Sequence, residues 1–252
     1  MGNKETIMNV LDLDLDFFQN GRITGGDPTC RSLTTAWSAR RVRDYLENNL
    51  HLSKMNKIPG RVFIHHDQAF EFWDKLIKAG WLTKPFCVYH VDAHSDFGYM
   101  GTWCYDFFNK YVGDYYFSYK EGFPTYDMHE GNFMCYALAK RWFSEVNYIY
   151  NDTDSCFQGD DISPLILKDM DIDSNALQIC QFRTKLDPQY YKYDLLKKRF
   201  AFSLPVQLNR YKGASFSKPV NYDFISLSIS PHYIVDESWG NVSVIKEYIK
   251  EI

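Results

Sequence analysis

Hydrophobic and acidic residues alternate along residues 7–18, and this period of two is typical of a β-strand. Short apolar runs predict further strands. Residues 85–91 are almost continuously apolar, as expected of a parallel strand buried on both faces. The other predicted strands are residues 61–65, 146–150, 200–204 and 224–229.

Apolar residues recur at helical spacing in four segments. The first, residues 35–50, begins beside Thr34 and Thr35, either of which could cap it. The second, residues 68–79, stops at Gly80, a residue suited to a helix C-terminus. The remaining predicted helices are residues 132–142 and 242–252, and the predicted turns and loops are residues 21–27, 98–125 and 152–173.

Strands therefore alternate with helices along the whole chain. This order predicts the α/β class, with a three-layer α/β/α architecture around a mainly parallel sheet. A length of 252 residues suits a single domain, residues 1–252, and neither an internal repeat nor a linker divides it.

The composition argues against several classes of partner. The formal net charge is −4 without a basic stripe, so we expect no nucleic-acid partner. No apolar run approaches the roughly 18 residues that a membrane span needs, so no membrane partner is expected. The 6 cysteines form no C-x-x-C pair, which argues against a zinc ribbon or a disulfide framework. Without a recognisable signal peptide, a cytoplasmic protein is expected.

Residues that bind metal ions follow the apolar strand 85–91. Asp92, His94 and Asp96 would emerge at its carboxyl end, where open α/β sheets place their ligands. Carboxylate and imidazole groups together suit Mn²⁺, Fe²⁺ or Zn²⁺. A turn capped by these side chains is the alternative interpretation.

Three aspartates share one face of the first predicted strand. Asp12, Asp14 and Asp16 would stand about 6–7 Å apart from one to the next, because a strand rises about 3.3 Å per residue. Burying uncompensated carboxylates costs several kcal/mol, so a buried strand would need cations beside them. An edge strand with its acidic face in solvent is the alternative.

A pair of histidines ends the strand 61–65. His65 and His66 could add a metal ligand or a base that faces a guanidinium group. They could equally be surface histidines beside a helix that Asp67 caps.

Two of these segments resemble the metal motifs of the ureohydrolase superfamily, the arginases and agmatinases. Residues 92–96, Asp-Ala-His-Ser-Asp, resemble its Asp-Ala-His-x-Asp motif. Residues 12–16 resemble its second motif, with Asp14 and Asp16 at the metal aspartates and Asp12 at a serine position. Residues 65–68 resemble the segment that supplies one more histidine. Gln68 occupies that histidine's position, so the extra ligand is left open among His65, His66 and Gln68.

The order of the motifs differs from that of arginases, because the Asp-x-Asp strand comes first. This order is similar to a divergent, rearranged branch that includes the peptide arginases of bacterial ribosomal-peptide pathways, which convert arginine to ornithine within a precursor peptide. The resemblance implies two Mn²⁺ ions and an arginine-containing precursor peptide as partner. It implies the metal ligands Asp14, Asp16, His66, Asp92, His94 and Asp96 and the catalytic residues Asp96, His129 and His65, although His129 could equally be a plain residue at a helix start. Asp12 and Gln68 are expected to bind substrate, and Asp127 or Glu130 could form a salt bridge to a cationic substrate.

The expected reaction is hydrolysis of the arginine side chain to ornithine and urea by water that the metal pair activates. The aromatic loop 99–126 could form a groove for an extended peptide, a lid or an oligomer contact. Three other functions stay open: a deacetylase-like amide hydrolase with one zinc ion, a ureohydrolase of free guanidino compounds, and a peptide-binding protein without catalysis. The sequence also leaves a homo-oligomer open.

Overall fold

A computed structural model describes residues 6–23, 28–98, 128–152, 162, 166–178, 180–182, 199–201 and 204–252. Its strands, numbered along the chain, are Asn9–Asp14 (β1), Gln19–Asn20 (β2), Thr35–Ala36 (β3), Ile58–Phe63 (β4), Phe86–Asp92 (β5), Phe143–Tyr150 (β6), Ala176–Leu177 (β7), Cys180–Phe182 (β8), Arg199–Ala201 (β9), Val206–Lys212 (β10), Phe224–Ser228 (β11) and Ile249–Glu251 (β12). Its α-helices are Pro28–Leu33 (α1), Ala39–Asn48 (α2), Gln68–Lys78 (α3), Phe133–Ala139 (α4) and Trp239–Lys246 (α5).

Eight of these strands form one sheet in the order β12-β4-β11-β1-β5-β6-β10-β7. All its neighbours run parallel except β7, which pairs antiparallel with β10. The first strand of the chain therefore lies in the middle of the sheet, between β11 and β5. The prediction of a mainly parallel α/β sheet is confirmed.

Helices cover both faces of the sheet, because the side chains of each strand alternate between two hydrophobic clusters. Leu11 and Leu13 of β1 pack with residues of α2 and α5 on one face. Val10 packs with residues of α3 and α4 on the other. These faces give the three layers that the sequence predicts. Asp12 and Asp14 follow Val10 at alternate positions, so the second face becomes polar towards the carboxyl end of β1.

The predicted strand 7–18 is too long at its carboxyl end. Strand β1 stops at Asp14, and Leu15–Phe18 form a turn of 3₁₀-helix. The side chain of Asp14 accepts a hydrogen bond from the backbone N–H of Asp16 at 3.0 Å, which caps this turn and ends the extended conformation. The three aspartates therefore do not lie along one straight strand.

Other boundaries also shift. Helix α2 begins after Ser38, whose hydroxyl accepts from the N–H of Arg41, so neither Thr34 nor Thr35 caps it. The predicted helix 242–252 ends at Lys246, because the chain then pairs with β4 as strand β12. The predicted strand 61–65 runs from Ile58 to Phe63, and β10 is a strand that the sequence patterns missed.

The elements around the site match the predictions closely. Helix α3 covers Gln68–Lys78, and Gly80 follows it with a φ of 72°. Strands β5 and β11 lie where apolar runs predict them.

None of the helices within the described ranges is long and apolar enough to cross a membrane. The aromatic loop 99–126 lies outside the described residues.

Candidate metal centre

A cluster of buried aspartates and histidines lies at the carboxyl ends of β1, β4 and β5. Strands β1 and β5 are neighbours, but the chain leaves β1 towards β4 on one side and leaves β5 towards β6 on the other. Two adjacent strands whose connections diverge in this way open a crevice at their carboxyl ends, the usual ligand site of open α/β sheets.

The end of β1 contributes two carboxylates. Asp14 accepts hydrogen bonds from the backbone N–H of Asp16 and from the hydroxyl of Ser230, which follows β11. Asp16 accepts from the backbone N–H of Ala93 at 3.2 Å and lies 2.8 Å from Nδ1 of His94. These contacts connect the end of β1 to the segment after β5, so both predicted motifs meet in space.

The segment after β5 turns back on itself. The backbone N–H of His94 donates to Oδ1 of Asp92 at 2.7 Å. Asp96 has a φ of 53°, in the left-handed region that residues other than glycine seldom adopt. A strained backbone costs about 1–3 kcal/mol and is often found at functional sites. Here the turn keeps the side chain of Asp96 buried within the cluster.

His66, which follows β4, lies at the centre of the cluster. Its Nδ1 is 2.8 Å from Oδ2 of Asp96, 3.0 Å from Oδ2 of Asp14 and 3.1 Å from Oδ2 of Asp92. Nevertheless Nδ1 of His66, Oδ2 of Asp92 and Oδ2 of Asp96 are buried and find no hydrogen-bond partner among the residues that the structure describes. Buried polar atoms without partners are rare, and a bound ion is one of the explanations for them.

A divalent cation fits these atoms. Groups of three ligand atoms within 4.8 Å of one another are formed by Asp14, His66 and Asp92, by Asp16, Asp92 and His94, by His90, Asp92 and Asp96, and by Asp12, His66 and His90. Asp92 belongs to the first three groups. The buried aspartates and histidines could therefore hold a metal ion.

The charges of the cluster shift the pKa of His66. Burial opposes its ionisation, but the negative charges of Asp12 and Asp14 outweigh burial and raise the pKa well above its usual range. In the metal-free protein a proton on His66 thus supplies part of the positive charge that the carboxylates need. A metal ion would supply the same charge in its place.

Two of the carboxylates bind protons more tightly than usual. Burial and the charge of Asp16 raise the pKa of Asp14 to about 6. Burial and the charges of Asp16 and Asp96 raise the pKa of Asp92 well above its usual range. For Asp16, burial raises the pKa, but the charge of His94 together with hydrogen bonds from His94, Asp92 and the backbone of Ala93 outweighs burial and lowers it.

We therefore expect metal binding to release protons. Metal ligands must be deprotonated, whereas the environment of the metal-free cluster raises the pKa of His66 and of Asp92 well above their usual ranges and that of Asp14 to about 6. Affinity for Mn²⁺ should thus rise with pH and fall steeply on acidification through pH 6. Titration calorimetry in two buffers with different ionisation enthalpies measures the release. Equal binding enthalpies in both buffers would contradict this expectation.

The histidine pair after β4 divides between two environments. His66 lies in the cluster, whereas Nδ1 of His65 pairs with Oε1 of Glu130 at 2.8 Å near the protein surface. Gln68 is engaged elsewhere, because its Oε1 accepts from the backbone N–H groups of Ile64 and His65. The structure therefore places His66, and neither His65 nor Gln68, among the candidate ligands. The expectation that Gln68 binds substrate stays a prediction, because these hydrogen bonds involve only the oxygen of its amide.

Asp12 also differs from its expected role as a substrate-binding residue. Its side chain is completely buried and contacts Nε2 of His66, Nδ1 of His90 and the hydroxyl of Ser226. With its carboxylate enclosed by these three groups, Asp12 does not face a substrate. We therefore assign it to the support of the cluster.

The sequence predicts that His129 lies in a loop between the motif 92–96 and the helix 132–142. The structure places it near the cluster, within reach of the charge of Asp96. Burial lowers its pKa although the charges of Asp96, Asp67 and Glu130 oppose this. Its Nδ1 accepts a hydrogen bond from the backbone N–H of Gly131 at 3.2 Å, which assigns the proton of the neutral ring to Nε2. A neutral imidazole of this kind can accept or transfer a proton. Asp127, the other loop residue expected at the site, lies outside the described residues.

Three residues of the site do not belong to the expected ligand set. His90 is completely buried beside Asp12, and Ser226 and Ser230 donate to Asp12 and Asp14. The sequence could have indicated His90 and Ser226. Each is a polar residue in an otherwise apolar strand, and the alternation of side chains along the strand puts it on the same face of the sheet as Asp12. The ring of Tyr233 also packs against His94, with 5.0 Å between centroids.

No protein-family model, curated protein or solved structure matches this chain.

Proposed function

We propose that the protein is a manganese-dependent amidinohydrolase that converts arginine side chains within a peptide to ornithine and releases urea. The observation that carries this proposal is the convergence of both motif segments on one buried cluster, in which His66, Asp92 and Asp96 present atoms without hydrogen-bond partners among the described residues. The resemblance of these motifs to those of ureohydrolases supplies the reaction class.

The number of ligands supports two ions instead of one. A tetrahedral zinc site takes four ligands. The cluster offers more side chains than that, namely Asp14, Asp16, His66, Asp92, His94 and Asp96. Shared carboxylates such as Asp92 suit a pair of ions, because one oxygen can serve each of them. Carboxylates outnumber imidazoles here, which favours Mn²⁺ over the softer metals.

When bound, the ion pair would lower the pKa of water so that hydroxide forms near neutral pH. The overall reaction adds one water across the bond between the guanidinium carbon and the side-chain nitrogen, giving urea and a protonated amine. The leaving nitrogen must gain a proton. We assign its transfer to the neutral ring of His129 or to His65, with Asp96 as the least buried carboxylate of the cluster.

Negative charge beside His65 and His129 supports a cationic substrate. Asp67 and Glu130 lie close enough that the charge of Glu130, together with burial, raises the pKa of Asp67. Glu130 also holds His65 at 2.8 Å. Carboxylates in this arrangement favour a planar guanidinium group, which can donate two parallel hydrogen bonds to one carboxylate.

The direct test incubates the protein and Mn²⁺ with a peptide that contains arginine but no acetylated lysine. Conversion to ornithine lowers the peptide mass by about 42 Da per residue and yields one urea, as expected of the metal-assisted hydrolysis. Urea must be measured together with mass, because removal of an acetyl group also lowers the mass by about 42 Da in a hydrolysis of the same class.

Each control separates one alternative. A peptide with lysine in place of arginine should be unchanged, and a chelator should stop the reaction. Turnover of free arginine but not of the peptide would identify a ureohydrolase of small guanidino compounds. Acetate release from an acetylated peptide without urea would favour the deacetylase-like alternative and contradict the proposal.

A further inference from the structure

The two ring nitrogens of His66 have different environments. Nε2 forms a hydrogen bond with Oδ2 of Asp12 at 3.0 Å. Nδ1 faces oxygens of Asp14, Asp92 and Asp96 at 2.8–3.1 Å, yet it forms no hydrogen bond of acceptable geometry within the described part of the chain. When the ring gives up one proton, as binding of a metal ion requires, acceptor atoms on both sides of the ring compete for the proton that remains.

Asp12 is held in a fixed position. It lies opposite Ser226 of β11 and His90 of β5 in the parallel register. The hydroxyl of Ser226 donates to Oδ1 at 2.5 Å, and Nδ1 of His90 lies 2.9 Å from Oδ2. The carboxylate is completely buried, so water does not compete for these contacts. Partners on both neighbouring strands thus aim Oδ2 at His66.

We propose that Asp12 is a positioning residue of the metal centre, which retains the proton of His66 on Nε2 so that the lone pair of Nδ1 points at the cation. This inference rests on the proposed metal centre but not on the identity of the substrate. A metal-bound histidine usually donates its other N–H to a carboxylate, which fixes its tautomer and orientation. Asp12 occupies that second position, because its Oδ2 contacts Nε2 of His66 and not Nδ1, which faces Asp14, Asp92 and Asp96.

The alternative tautomer would disable the centre. With the proton on Nδ1, the ring would present an N–H to the space between Asp92 and Asp96, and its lone pair would face the negative charge of Asp12. Nδ1 of His66 would then offer no electron pair to a metal ion bound between Asp14, Asp92 and Asp96. The neutral side chain of asparagine permits this tautomer, because its amide can donate to Nε2, whereas aspartate can only accept.

The test compares Mn²⁺ affinity of Asp12→Asn and wild type by titration calorimetry. We expect affinity to fall by about 10–100-fold, as is typical when such a partner is lost. Leu11→Val is the matched control, because Leu11 is an equally buried neighbour on the opposite face of β1. It should lower the melting temperature yet leave affinity within about twofold, as expected of an independent site.

A spectroscopic readout reports the tautomer itself. In protein loaded with diamagnetic Zn²⁺, the ¹⁵N shifts of His66 should show a protonated Nε2 in wild type and in Leu11→Val. If Asp12→Asn fails to fold, Ser226→Ala provides a milder test: it frees one oxygen of Asp12 and should weaken metal binding several-fold. Wild-type affinity in the variant that folds, or a proton on Nδ1 in metal-loaded wild type, would overturn the inference. Failure to hydrolyse arginine would leave it intact and count only against the proposed reaction.

Discussion

Asp92→Asn is expected to abolish metal-dependent urea production while the metal-free protein stays folded. Asp92 takes part in most of the candidate ligand groups, and its Oδ2 is among the buried atoms without a hydrogen-bond partner in the described chain. Loss of a ligand should exceed the loss expected for a supporting residue, so we expect activity to fall by more than about 100-fold.

The stability of this variant should change little without metal. Burial and neighbouring charges raise the pKa of Asp92 well above its usual range, so the metal-free site disfavours its negative charge. Asparagine removes that charge and keeps the shape of the side chain, and its oxygen can still accept from the N–H of His94. We expect the free energy of unfolding to change by less than about 1 kcal/mol, a typical value for one neutral hydrogen bond.

Calorimetric melting with and without Mn²⁺, together with a urea assay, measures both effects. Asp44→Asn is the control, because Asp44 is an exposed aspartate of α2 paired only with Arg40 among the described salt bridges. It should retain activity and metal-induced stabilisation. Wild-type turnover in Asp92→Asn would remove the basis for the metal centre, and unfolding of the metal-free variant would show that Asp92 has mainly a structural role.

Saturating Mn²⁺ is expected to raise the melting temperature of the wild-type protein. At 100 times its dissociation constant a ligand stabilises the folded state by about 2.7 kcal/mol. For a chain of this size each kcal/mol raises the melting temperature by about 2–4 °C, so the expected shift is roughly 5–10 °C. The physical reason is that Asp14, Asp16, Asp92 and Asp96 are buried close together, and a cation offsets their repulsion.

Scanning calorimetry of chelator-treated protein with and without added Mn²⁺ tests this expectation. Asp92→Asn and His94→Ala should show a much smaller shift than wild type, whereas Asp44→Asn should show the full shift. A melting temperature that neither chelator nor Mn²⁺ changes would mean that the folded protein binds no cation at this cluster.

The position of the site could be predicted from the sequence because two local patterns are sufficient for it. An apolar run followed by Asp92, His94 and Asp96 indicates a buried parallel strand with ligands at its carboxyl end. Alternation around Asp12 and Asp14 indicates a second strand whose acidic face needs cations. The structure brings both patterns together on neighbouring strands, as expected.

The roles within the site could not be predicted in the same way, because they depend on contacts between distant residues. Asp12 looks like Asp14 in the sequence, but Ser226, 214 residues away, and His90 enclose it. Gln68 falls on a motif position for a ligand, yet a backbone turn occupies its side-chain oxygen. Strand β12 was missed because helical spacing continues through its residues, and only pairing with β4 makes them extended.

The central place of β1 has a consequence for how the protein is assembled. The strand that carries Asp12 and Asp14 appears among the first residues of the chain, but one of its two flanking strands, β11, comes more than 200 residues later. Contacts so distant in sequence form late and slowly during folding. Binding of a metal ion by the native cluster would thus signal that β11 has paired with β1, and a chain interrupted before β11 should lack Ser226 and Ser230 beside its aspartates.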